Sequence, residues 1–229
     1  MIQLQPVSET TAIVYFGNHI DQSLIPLIRH VADSLNHPAI IERIPSYTSL
    51  LIEYRADVLT IEMIDSMIQS ALACWENNGS PLLGRQIVLP VFYGGEAGPD
   101  LPMLASLCGL SEQEVIDIHC GQTYRVCAIG FAPGFAFLAP VDKRIAMPRH
   151  ATPRKLVPAG SVGIAGQQTA VYPLDSPGGW QIIGNCPVSL FDPHADPVSP
   201  VEVGDEVCFE PVTKAVFLAK GGRLCRHWK

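Results

Sequence analysis

The sequence predicts an α+β chain, a small α/β sandwich followed by a β-barrel, and three observations predict it. Long amphipathic helical periods are confined to the first 80 residues. From residue 124 onward short apolar runs alternate with turn formers, and no long helical period recurs. Residues 130–193 carry eight Gly and nine Pro, a share that would indicate disorder if the remainder were Ser, Gln and Glu. The remainder includes Phe, Ile, Val, Tyr and Trp instead, which describes ordered, sharply cornered β structure holding many backbone amides in set positions.

The first 80 residues open with two short strands, 2–7 and 11–16. A helix follows, because Leu24, Leu27, Ile28, Val31 and Leu35 recur at three and four residues. Pro26 fits its first turn, where a missing N–H costs little, and Pro38 closes it. Strands 39–44 and 49–54 are joined through Pro45, Ser46 and Tyr47, a hairpin signal. Thr60 then caps a helix over 61–76, whose Ile61, Ile64, Met67, Ile68, Ala71, Leu72 and Trp75 form one apolar stripe. NNGSPLLG, residues 77–84, reads as a linker.

The second domain is expected over 85–229, the first over 1–80. Residues 85–93 resume β character and, by pattern alone, could pair with either sheet. After GGEAGPD a helical insert spans about 101–119, two short helices at 101–108 and 112–119. Ser111 and Glu114 form a capping box, and Gly121 sits where a C′ glycine would. Strands at 125–129, 167–172, 180–183 and 206–210 complete a small barrel.

At 229 residues and 48% apolar content the chain can bury two modest cores. A net charge of −7 argues against sequence-independent nucleic-acid binding. The second short helix looks like a recognition helix after a turn, but it carries Glu112, Glu114 and Asp117 without Lys or Arg, and would repel phosphate. Seven cysteines without a C-x-x-C pair indicate neither a disulfide framework nor a zinc site. The N-terminus has no secretory pattern and no apolar run reaches about 18 residues, so a soluble cytoplasmic protein with no membrane contact is expected.

Several constellations carry possible chemistry. Gly160, Gly163 and Gly166 are spaced G-x-x-G-x-x-G, unlike a dinucleotide fingerprint, and no P-loop occurs. Arg149 and Arg154 flank HATP in a cation-poor region and suit a carboxylate or phosphate, with a solvated basic loop as the plain alternative. His119 and His150 are the histidines best placed for proton transfer, although a lone His is more often structural. In GFAPGFAFL, Phe131 and Phe135 flank Pro133 and Gly134, suiting core anchoring or a ligand wall. In YPLDSPGGW, Gly178 and Gly179 lie between Tyr172 and Trp180, where polar groups and open amides converge.

GFAPGFAFL, PRKLVPAGSVGIAGQQTAVYPLDSPGGWQIIG (153–184), LFDP (190–193), GDEVCFEP (204–211) and VFYGGEAGPDLPMLASLCGLSEQEVIDIH (91–119) resemble the allophanate hydrolase subunit 1 and Kip-type inhibitor family, nearest to its bacterial ATP-dependent 5-oxoprolinase B-subunit branch. The resemblance covers nearly the whole chain. It implies an N-terminal α/β domain and a cyclophilin-like barrel. It also implies cleavage of 5-oxo-L-proline to L-glutamate with ATP, as Mg-ATP co-substrate and with no tightly bound cofactor or resident metal, together with a C-type subunit, which has a related barrel, and an A-type subunit. Two other functions come with it: inhibition of a sensor histidine kinase, and the carboxyltransferase part of a urea carboxylase. Within this frame Arg149, Arg154 and His119 are the expected catalytic residues. Phe131, Pro133, Gly134, Phe135, Tyr172 and Trp180, with the amides of Gly160, Ser161, Gly178 and Gly179, are expected to bind substrate or ATP.

Overall fold

The computed structural model describes residues 2–19, 21–78, 84–225 and 228, and the chain divides into two compact units, residues 1–84 and 85–229. Residues 79–83 of the expected linker lie outside the described residues.

The first unit is a two-layer α+β sandwich. Its elements are β1 (Gln3–Pro6), β2 (Thr11–Tyr15), α1 (Leu24–Ser34), β3 (Ile40–Ser46), β4 (Ser49–Tyr54) and α2 (Ile61–Asn78). The sheet runs β1-β2-β4-β3, antiparallel throughout. Strand alternation sends Ala12, Val14, Leu50, Ile52 and Tyr54 into one core with Ile28, Val31, Ile64 and Ile68 of the helices. Thr60 accepts the Met63 N–H at 3.4 Å, the capping contact its type suggests. The hairpin turn differs from expectation. β3 continues through Pro45 to Ser46, which faces Ser49, so the reversal falls on Tyr47 and Thr48. Pro45 is tolerated because β3 is an edge strand.

The second unit holds β5 (Gln86–Tyr93), α3 (Leu101–Cys108), α4 (Glu112–Cys120), β6 (Tyr124–Ile129), β7 (Ala136–Ala139), β8 (Arg154–Val157), β9 (Ser161–Ala165), β10 (Gln168–Val171), β11 (Ser176–Gly178), β12 (Gln181–Asn185), β13 (Glu206–Pro211) and α5 (Lys214–Ala219). Seven strands close a barrel in the order β10-β7-β6-β13-β5-β12-β9, while β8 and β11 form a separate two-stranded ribbon. β5 lies parallel to β13 over six residue pairs and antiparallel to β12, which decides the pairing that its pattern leaves open. Asp205, fully buried, accepts from the Arg85 N–H at 3.1 Å, Arg85 Nη2 at 2.6 Å and the Glu202 N–H at 2.8 Å, fastening the start of β5 beside β13.

Period-two alternation divides the barrel's apolar residues between two clusters. Leu89, Val91, Tyr124, Leu138, Ile164, Val171 and Ile183 pack in one. Phe135, Ala170, Tyr172, Trp180 and Ile182 pack in the other, against the opposite face of the same strands. The capping box at α4 forms as expected, with Ser111 Oγ accepting from Glu114 N at 3.2 Å and Glu114 Oε2 accepting from Ser111 N at 2.8 Å. Gly121 departs from expectation: it ends α4 at φ −76° without a left-handed cap. Glycine is suited there because a Cβ would lie 2.7 Å from the Asp117 carbonyl oxygen. No helix among the described residues is long and apolar enough to cross a membrane.

Candidate functional site

The turn between β6 and β7 builds one wall of the site. Gly130 N–H donates to Phe135 O at 3.1 Å and Phe135 N–H to Ala132 O at 3.0 Å, closing a tight reversal. Gly134 takes φ +77°, and a Cβ there would run into the Leu190 carbonyl. The turn thereby leaves Pro133 exposed, buries Phe135 and presents Phe131 to solvent.

Phe135 is the hub of an aromatic cluster. Its ring centroid lies 4.8 Å from Phe137, 5.1 Å from Tyr172, 5.3 Å from Phe131 and 5.6 Å from Trp180. Three of these four contacts are edge-on, the orientation that opposes ring edge to ring face. Arg149 places its guanidinium 5.7 Å over the Trp180 ring. Together with the Pro177, Gly178 and Gly179 backbone these side chains line a cleft of about 90 Å³. Gly178 has no room for a side chain, since a Cβ would meet the Tyr172 hydroxyl. Burial pushes the Tyr172 phenol up to about 12, against the opposing influence of a Trp180 backbone hydrogen bond and of the Arg149 and Arg154 charges.

Next to the cleft lies a buried carboxylate that sequence reading did not single out. Asp100, at the start of α3, accepts both Nη atoms of Arg154, at 2.6 and 2.9 Å, and the Ile182 N–H at 2.6 Å. His150 Nε2 lies 3.2 Å from the same carboxylate, close enough for charge attraction but outside hydrogen-bonding geometry. The His150 N–H donates to Gly179 O at 2.7 Å, tying the Arg149–His150 segment to the cleft lining. Arg154 is only 17% exposed, and Trp228 lies 5.7 Å from its guanidinium. Arg154 is therefore already committed to a partner, while exposed Arg149 makes no ion pair among the described residues. The separation of 54 positions between Asp100 and Arg154 leaves no local spacing by which the pair could be read.

The structure brings Arg149, Phe131, Phe135, Tyr172, Gly178, Gly179 and Trp180 together, with Pro133 and Gly134 in the supporting turn. It does not bring His119 there. His119 is fully buried, stacked 4.6 Å from Phe209, with Nδ1 2.8 Å from the Tyr93 hydroxyl and Nε2 2.9 Å from Thr169 Oγ1. Thr169 Oγ1 donates to Gly163 O at 3.0 Å. It must then accept from His119, which fits a neutral Nε2–H tautomer with Tyr93 donating to Nδ1. Burial drives the imidazole pKa down to about 3. Thr169 and Tyr172 lie three positions apart on a strand path, so their side chains point to opposite faces, separating His119 from the cleft.

Gly160 also stands elsewhere. It lines a second depression, of about 340 Å³, with Asn185, Cys186, Ser189 and Arg223 among its other residues. Ser161 is fully buried, and its Oγ has no hydrogen-bond partner among the described residues. The Gly160 and Ser161 amides, expected to hold ligand oxygens, are already engaged, the Gly160 N–H donating to Tyr172 O at 2.7 Å and the Ser161 N–H to Pro158 O at 3.2 Å. No group of three or more His, Cys, Asp or Glu that could hold a metal occurs among the described residues.

Comparison with known proteins places this geometry among relatives. The family model described as carboxyltransferase domain, subdomain C and D, matches residues 2–201. The chain is 39% identical over 226 residues to the B subunit of 5-oxoprolinase from Bacillus subtilis, covering 93% of each chain. It is 42% identical over 181 residues to the B subunit of 5-oxoprolinase from Escherichia coli O157:H7, covering 78% of this chain and 81% of that one. Among solved structures, TTHA0988 superposes with a TM-score of 0.79 at 32% identity over 89% of this chain, which spans only 40% of that longer protein.

Proposed function

The chain belongs to the carboxyltransferase domain family, subdomains C and D, and on that premise we propose that it is the B subunit of a cytoplasmic ATP-dependent 5-oxoprolinase, working with A-type and C-type subunits. The observation that carries this reading is the cleft in which an arginine without an ion pair among the described residues meets a wall of aromatic rings, in a chain whose relatives include B subunits of 5-oxoprolinase.

A lactam is a poor electrophile. Transfer of the ATP γ-phosphoryl group to its oxygen, with loss of the ring N–H proton, releases ADP and leaves an activated imidate. Water adds to that carbon, the ring C–N bond breaks with nitrogen leaving as an amine, and a second water releases phosphate from the resulting acyl phosphate. Such a sequence needs a fixed cation for the carboxylate or phosphoryl group, an apolar wall for the ring and a base for the water.

Arg149 supplies the cation, since its exposed guanidinium, set over the Trp180 ring, makes no ion pair among the described residues and can form a bidentate pair with an anion. Phe131, Phe135 and Trp180 supply the wall. We assign the base to His150, whose backbone N–H ties it to Gly179 of the lining and whose Nε2 lies 3.2 Å from Asp100. Arg154 acts at one remove, holding Asp100 in place rather than binding substrate. His119 takes no part, being a neutral, enclosed core residue.

The test is 5-oxo-L-proline-dependent ADP release by co-expressed A, B and C subunits, with and without this chain. Activity that requires the chain supports the reading. Assembly without ADP release under 5-oxo-L-proline overturns it.

A further inference from the structure

Among the described residues Phe131 alone of the non-glycines has a positive φ, +72°. A bulky side chain is a steric outlier in that region, and such outliers persist where surrounding contacts over-determine them, often at ligand sites. Here the two turn hydrogen bonds around Phe135 and the Gly134 approach to Leu190 hold the backbone in place. Core burial does not explain the conformation, because Phe131 is 67% exposed, its ring touching the cluster through Phe135. The chain thus keeps an aromatic ring in a disfavoured backbone state, in water, on the lining of a cleft that also holds Arg149.

We propose that Phe131 determines the specificity of this cleft: its ring covers the flat face of a small cyclic carboxylate whose charge is held by Arg149, and the cleft accepts that ligand class and not a nucleotide. The proposal deepens the preceding functional reading and rests on it for the identity of the substrate. Size supports the restriction, since the cleft encloses about 90 Å³, whereas pockets for larger ligands run to roughly 300–1,000 Å³. Chemistry supports it too. One guanidinium beside exposed aromatic surface matches one carboxylate on a compact ring.

Two variants test it. Phe131→Gly takes the same φ without strain but has no ring, and Phe131→Leu keeps an apolar side chain that is not flat. In the assembled enzyme Phe131→Gly is expected to raise KM for 5-oxo-L-proline by about two- to tenfold, the scale of one lost aromatic contact. Phe131→Leu should fall between, and neither variant should lower the thermal midpoint of the chain. In parallel, calorimetry on the full chain with pyrrole-2-carboxylate and with AMP should show saturable binding of the ring carboxylate alone, weakened by Phe131→Gly. Unchanged KM and unchanged calorimetric affinity in Phe131→Gly would overturn the proposal, as would AMP competing for the same site. A lowered midpoint with unchanged KM would overturn it equally, by making Phe131 a structural anchor. If the wild-type complex does not turn over 5-oxo-L-proline, the functional reading fails and the calorimetric arm still decides the role of Phe131.

Discussion

Arg154 and Asp100 are joined by two hydrogen bonds, of 2.9 and 2.6 Å, and Asp100 also accepts the Ile182 N–H at 2.6 Å, so one carboxylate links α3, β8 and β12. The Asp100 side chain is 5% exposed and that of Arg154 17%. Breaking such a pair from one side strands a buried charge. Asp100→Asn is therefore expected to cost about 3–5 kcal/mol, and Arg154→Met a comparable amount. The double variant should lose less than the sum of the two, because no unpaired charge remains. Urea unfolding of the four proteins checks this, and strict additivity would show that the pair is not coupled.

Arg149 should behave in the opposite way. It is exposed and makes no ion pair among the described residues, so Arg149→Met is expected to leave stability within about 0.5 kcal/mol. A lost hydrogen bond to a charged ligand is worth about 1.5–3 kcal/mol, which corresponds to a KM for 5-oxo-L-proline raised by roughly ten- to a hundredfold. Steady-state kinetics of the assembled enzyme would expose an error here if KM and kcat both held at wild-type values.

His119 makes the fold sensitive to acid. Its folded pKa of about 3 lies below the ordinary value of 6.5 because burial disfavours the imidazolium. The unfolded chain thus binds the proton more readily, and the stability this group contributes is complete above pH 6.5 and lost progressively as pH falls toward 3. The full window corresponds to a ceiling of about 5 kcal/mol. Urea midpoints measured across that range should fall for the wild type, while His119→Gln, lower at neutral pH, should show a flatter profile.

Gly178 should not tolerate even a methyl group. A Cβ there meets the Tyr172 hydroxyl, and Tyr172 has little freedom to retreat, because Phe135 and Trp180 hold its ring. Gly178→Ala is expected to cost about 1–3 kcal/mol, the usual scale of overpacking. Adding Tyr172→Phe, which removes the contacting oxygen, should recover part of that loss. Thermal unfolding would contradict the packing argument if the second change restored nothing.

Much of the fold was legible because it depends on local periodicity. The apolar stripe of 61–76, the Ser111–Glu114 box and the alternating runs after 124 each place their element through neighbours within a few positions. The same local logic failed where a small choice of register intervened, as at Pro45, which β3 carries on its free edge. The short β8–β11 ribbon escaped notice because three and four residues give alternation too few positions to register.

The sequence alone determined that an α/β sandwich precedes a cornered β barrel, and it marked Arg149, Arg154, His119, the aromatic turn and the Gly160–Ser161 and Gly178–Gly179 turns alike as candidates. Only tertiary structure decided which of these meet. Closing the barrel sets Tyr172 and Thr169, the partner of His119, on opposite faces of one strand path, pairs Arg154 with an aspartate 54 positions away, and leaves Arg149 beside Trp180 without an ion pair among the described residues. Local propensity cannot specify such meetings, because strand order and register are settled by burial over the whole barrel, and one step of register exchanges the two faces.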